Sequence, residues 1–114
     1  MKDYLFIYRA DYKNAPQGNT PEEKEAVMKQ WMDWMGSIAA QNKLSAKGSP
    51  LAGTGKVVKS DNIITNGPYS EIKEVVGGYS IVKADSYDGA VELAKGCPIL
   101  KIGGNVEVRE VVAM

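Results

Sequence analysis

Tyr4-Leu5-Phe6-Ile7-Tyr8 is a run of aromatic and aliphatic residues near the amino end, closed by Arg9 and Asp11. Its composition and charged boundaries predict a β-strand. Successive strand side chains point to opposite faces, so Tyr4, Phe6 and Tyr8 lie on one side, Leu5 and Ile7 on the other. Both sides are apolar. Tyr79-Ser80-Ile81-Val82-Lys83-Ala84 is predicted as a second strand of nearly the same kind, with Tyr79 and Ile81 opposite Val82 and Ala84. A sheet made of such strands has two faces to cover, and the remaining segments determine what covers them.

Asp11 to Asn19, with Pro16 and Gly18, reads as a loop. Thr20-Pro21-Glu22-Glu23 then marks a helix start: Thr20 can cap, Pro21 suits the first helical position, and Glu23 completes a capping box. The helix is predicted to run to about Gln41, with Val27, Trp31, Met35 and Ile38 on one inward stripe widened by Met28, Met32 and Ala39. Trp34 flanks that stripe, where it can roof a cleft or meet a second chain. Leu44 to Gly55 is rich in Gly, Ser and Pro, so an irregular segment with at most a short strand near Leu51 is expected. Lys56 to Lys59 and Ile63 to Thr65 flank Ser60-Asp61-Asn62 as the arms of a tight hairpin. A helical turn is expected over Ser70 to Val75. Ser86 caps a second helix to Lys95, with Tyr87, Val91 and Ala94 inward and Gly96 as its stop, and a last strand covers Val106 to Val112.

That order of elements predicts an α+β fold on the ferredoxin-like, split βαβ plan with an extra hairpin. In this plan both helices lie on one side of the sheet. The other side then exposes a patch of aromatic and aliphatic residues, and such patches usually mark an interface. Two copies can stack their open sides into a dimeric α+β barrel, the favoured reading because symmetric homodimers are the commonest oligomers. The other cover is Leu44 to Gly55, folded back over the sheet.

Length and composition bound the function. The 114 residues suit one domain over residues 1–114, and 14 basic against 14 acidic side chains leave no surplus charge for nucleic acid or an acidic membrane. The chain contains no histidine, so catalytic triads and histidine metal sites built within one chain are excluded. Cys97 is the single cysteine, too few for a disulfide frame or a zinc site, and is expected to be an inert, packed thiol. With no signal-peptide core and no long apolar run, a soluble cytoplasmic protein is expected. Gly53-Thr54-Gly55-Lys56 fails as a nucleotide phosphate loop, since Pro50 stands at the first glycine position and Val57 at the magnesium-binding hydroxyl. No cofactor is implied.

From Thr65 through Asn66-Gly67-Pro68-Tyr69, Lys73-Glu74 and Gly77-Gly78-Tyr79, the chain resembles the YCII-related family, specifically its DGPF subgroup. The opening strand, the tryptophan-bearing helix, Cys97-Pro98 and Val106-Glu107-Val108-Arg109 fit over nearly the whole length. The resemblance implies a ferredoxin-like fold and a dimeric barrel. Asn66 replaces the usual Asp and Tyr69 the usual Phe, which weakens an acid or metal role at position 66. The His-Asp pair suggested as catalytic elsewhere in the family has no counterpart here.

The candidate chemistry gathers on that loop. Glu74 is the candidate base, with Lys73 or Arg9 holding an anion, for cofactor-independent proton transfer or hydrolysis. Asn66, Tyr69, Tyr79 and Trp34 are candidate ligand-binding residues, with Tyr69 or Tyr79 donating a hydrogen bond. Against this, Gly67-Pro68-Tyr69 can be a rigid turn and Arg9 a surface ion pair. The expected partners are a second copy and a small organic ligand, with no nucleic acid or membrane. The alternative is a non-catalytic binding or regulatory module, since the resemblance also suggests a link to sigma-factor-dependent transcription.

Overall fold

The computed structural model describes residues 1–11, 20–67 and 75–114. Strand β1 spans Lys2–Ala10, helix α1 Pro21–Ala40 and strand β2 Leu44–Pro50. Two short strands follow, β3 (Lys56–Val58) and β4 (Ile64–Asn66), then β5 (Val75–Ala84), α2 (Tyr87–Ala94), a 3-10 helix (Pro98–Ile102) and β6 (Asn105–Glu110). The main sheet is antiparallel throughout, ordered β2-β5-β1-β6, while β3 and β4 form a separate two-stranded sheet. The fold is α+β: a four-stranded sheet, a hairpin and two helices. No helix among the described residues is long and apolar enough to cross a membrane.

Alternation on β1 is as the sequence predicts. Tyr4, Phe6, Tyr8 and Ala10 are buried, while Leu5, Ile7 and Arg9 on the opposite face are half-buried. Val82 and Ala84 of β5 join the buried set with Ile38 of α1, Ala90 and Ala94 of α2, and Cys97 and Ile99. Both helix starts are built as expected, with Thr20 Oγ1 accepting from the Glu23 amide at 3.1 Å and Ser86 Oγ from the Gly89 amide at 3.2 Å.

The inward face of α1 keeps Trp31, Met35 and Ile38 of the expected stripe against the core but adds Trp34 and leaves out Val27. Trp34, expected on the flank, is buried, whereas Trp31 and Met35 are half-buried and Val27, Met28 and Met32 are exposed. Aromatic packing accounts for the choice. The Trp34 ring stacks on Phe6 at 6.2 Å and meets Tyr8 and Trp31 edge-on, and its Nε1 donates to the Leu93 carbonyl at 3.0 Å, satisfying the one polar atom it buries. On α2, Ala90 and Ala94 are buried and Val91 is exposed, while Tyr87, partly exposed, meets the buried Tyr4 edge-on at 5.0 Å and accepts from the Glu110 amide at 2.9 Å.

Leu44 to Gly55 also departs from expectation. Its first seven residues form an edge strand hydrogen-bonded to β5, rather than an irregular segment or a cover for the open face. Glycine allows this. Gly48 takes φ +72°, and a Cβ there would run into the Tyr79 carbonyl oxygen, so the bulge between Ala46 and Ser49 requires a residue without a side chain. A buried hydroxyl holds the bulge in place: Ser80 donates to the Lys47 carbonyl at 2.7 Å and accepts from the Tyr8 hydroxyl at 2.9 Å. Burial pushes the Tyr8 phenol well above its usual range, so it remains a neutral donor. The helical turn expected over Ser70 to Val75 lies largely outside the described residues; Val75 itself begins β5.

The face of the sheet away from the helices carries Leu5, Ile7, Tyr79 and Ile81 at its centre, since Leu5 pairs with Ile81 and Ile7 with Tyr79. Charged pairs surround them. Asp3 meets Lys83 at 3.4 Å, and Glu107 takes Arg9 at 3.1 Å and Arg109 at 3.4 Å. No described helix lies over this face.

Candidate functional site

Where the main sheet gives way to the hairpin, two concavities adjoin. Pro50 closes the β2–β5 ladder opposite Gly78, and the Leu51 amide makes a last bond to the Gly77 carbonyl at 2.8 Å. The chain then turns away through Ala52 and Gly53. It pairs again at the hairpin root, where the Gly67 amide, at φ +81°, donates to the Gly55 carbonyl at 2.6 Å. A cavity of about 310 Å³ lies between Pro50 to Gly53 and Val75 to Gly77, with apolar walls. A larger one of about 470 Å³ is lined by Gly53 to Lys56 and by Asn66 and Gly67. Gly53 borders both, so the two recesses adjoin, each with mostly apolar walls.

Lys56 brings a cation to the larger recess. Lys56 Nζ donates to Asn66 Oδ1 at 2.8 Å across the first pair of the β3–β4 ladder. A neutral amide holds the lysine without cancelling its charge, so the ammonium keeps donors for an anion beside the apolar recess. An aspartate at position 66 would neutralise it. Among the described residues no cluster of acidic, cysteine or histidine side chains has the makings of a metal site.

Of the residues picked out from sequence, Asn66 lines the larger recess. Arg9 ends β1 opposite Val76, which lines the smaller one, and its guanidinium lies on Glu107. Tyr79 stands on the open sheet face, 39% exposed. Trp34 does not roof a cleft: it is enclosed by Phe6, Tyr8, Trp31 and Leu93 in the core. Tyr69, Lys73 and Glu74 lie outside the described residues. Sequence reasoning missed Thr54 and Lys56 as site residues, having tested their glycine-flanked segment only against a nucleotide loop. The Leu51 to Val75 wall had no local signal, because its halves meet only through the β2–β5 pairing.

Cys97 is buried beside Ile99, and burial pushes its thiol up to about 12, a smaller opposing pull coming from the Ile99 backbone. It is a packed thiol, not a nucleophile at neutral pH.

An antiparallel α+β sheet, with one face that no helix among the described residues covers and two adjoining recesses at one end, defines the class. Within it, the sequence model of the YCII-related domain matches residues 3–114, and the chain belongs to that family. No curated protein matches it.

Proposed function

We propose that this chain, a DGPF-type member of the YCII-related family, works as a homodimer that binds a small organic ligand in the cleft at the hairpin root. The observation carrying this reading is the pair of adjoining recesses, one walled by Leu51, Val75 and Val76 and the other holding Lys56 and Asn66. Apolar walls with a few convergent polar groups are the usual make-up of a ligand site. The open sheet face supports the dimer, since an apolar centre ringed by charged pairs has the anatomy of a protein interface. Stacking two such faces gives the dimeric α+β barrel.

The chemistry that fits is cofactor-independent proton transfer or hydrolysis. Glu74, directly before β5 and its cleft-lining residue Val75, acts as base. Lys73 or Arg9 holds the anion. Native mass spectrometry of freshly purified protein tests the ligand: a reproducible small-molecule adduct is expected. Glu74→Gln tests the base, and unchanged turnover and affinity in that variant would remove its role.

A second reading, a non-catalytic module that binds another protein and is linked to sigma-factor-dependent transcription, is favoured by one feature. Helix α1 exposes Val27, Met28 and Met32, and methionines serve adaptable binding surfaces. Retention of a protein partner without any bound small molecule would select it.

A further inference from the structure

The β3–β4 hairpin carries its apolar residues on the wrong side for a single chain. Its register sets Val58 opposite Ile64 and Val57 opposite Thr65, so Val58 and Ile64 share one face and Val57 and Thr65 the other. A sheet with one wet face turns its polar residues outward. Here Val57 and Thr65 are half-buried, while Val58 is 68% and Ile64 60% exposed, and neighbouring Ile63 is exposed as well. Two isolated strands are marginally stable on their own. The hairpin also extends the molecule, whose radius of gyration is 15.4 Å within a slab of 44 × 44 × 18 Å. A compact chain of this length has a radius of about 13 Å.

We infer that the outer face of this hairpin, formed by Val58 and Ile64, docks on a second copy of the chain and completes the interface begun by the open sheet face. The inference rests on the homodimer reading above. Area supports it. Four strands about 4.8 Å apart, sharing about six residues at about 3.4 Å each, cover about 400 Å² in plan. A standard interface takes about 800 Å² of accessible surface from each partner, so the hairpin supplies area that the sheet face lacks. Charge favours a copy of this chain as the occupant. Lys56 shares the side of Val58 at the edge of the patch, and the exposed start of α1 offers Glu22 and Glu25 in the same molecule. Equal numbers of acidic and basic residues also leave no net repulsion between two copies.

Sedimentation velocity from nanomolar to tens of micromolar, on the wild type and on the double variant Val58→Glu/Ile64→Glu, tests the inference. Both side chains face solvent in one chain, so the variant is expected to keep its far-ultraviolet dichroism while its dimer dissociation constant rises at least tenfold. A dimeric wild type with the variant's constant within twofold of it overturns the hairpin's role and leaves the homodimer standing. A wild type that sediments as single chains throughout overturns both. Should the variant misfold, hydrogen exchange on the wild type decides. Amides 57–65 are expected to gain protection as the dimer fraction rises, and unchanged protection in a dimeric sample overturns the inference and assigns the patch to another partner.

Discussion

Replacing Ser80 with alanine removes one oxygen that does two jobs. The Ser80 hydroxyl is fully buried, donating to the Lys47 carbonyl at 2.7 Å and accepting from the Tyr8 hydroxyl at 2.9 Å. Ser80→Ala withdraws the donor from a strand carbonyl and the acceptor from a buried phenol, and each such loss is taken at about 1–2 kcal/mol, the lower part of the range for such groups. A total of about 2–4 kcal/mol is expected. Tyr8→Phe leaves the Ser80–Lys47 bond in place and keeps the ring packing, so it costs only about 1 kcal/mol. The double variant strands no phenol hydroxyl, so its loss is expected to fall short of the sum, with a coupling of about 1 kcal/mol. Urea unfolding of all four proteins at pH 7 and one fixed protein concentration measures the cycle. At roughly 4 °C per kcal/mol, Ser80→Ala lowers Tm by about 8–16 °C. A loss under about 0.5 kcal/mol for Ser80→Ala, or strict additivity, would refute the view that this hydroxyl pins β2 to β5. The consequence reaches the cleft, since β2 runs directly from the pinned bulge into the Pro50 to Gly53 wall.

Trp34→Ala should cost about 3–5 kcal/mol by thermal unfolding, because the ring fills the centre of the aromatic cluster; a neutral result would contradict its burial. Gly48→Ala should destabilise by about 2 kcal/mol, through a positive φ and a collision with the Tyr79 carbonyl, while Gly53→Ala, facing open space, changes stability by less than about 0.5 kcal/mol. Equal effects at the two glycines would count against the bulge. Burial raises the Cys97 thiol from 9.0 to about 12, so between those values the unfolded chain binds fewer protons than the folded one. Its contribution is therefore complete below pH 9 and lost as the pH climbs toward 12, and Cys97→Val should flatten that part of the alkaline unfolding curve. Rapid native-state alkylation at pH 8 would contradict its burial.

The main elements were legible because their signals are local. Alternation in Tyr4 to Tyr8, the Thr20-Pro21 start and the Ser86 cap depend on residues within a few positions of one another, and each element formed where expected. The α1 stripe held at Trp31, Met35 and Ile38, whereas the deeper burial of Trp34 was not legible because Phe6, Tyr8 and the Leu93 carbonyl, which enclose it, are distant in sequence. Leu44 to Pro50 was misjudged because glycine and proline, read as loop formers, here serve a bulge and a strand end. Asn66, singled out from its motif, lines the larger recess, while Thr54, Lys56 and Leu51 line the two recesses with no short spacing that links them.

The amino-acid sequence by itself determined the element order, the family and the presence of a sheet apolar on both faces, since alternation and capping act over a few residues. Tertiary structure alone decided that Leu44 to Pro50 lengthens the sheet instead of covering it, that Trp34 is core, and that Leu51 and Val75 line one recess and Lys56 the adjoining one. Those outcomes depend on strand pairings and ring contacts between residues far apart along the chain, which settle only when all the elements pack at once.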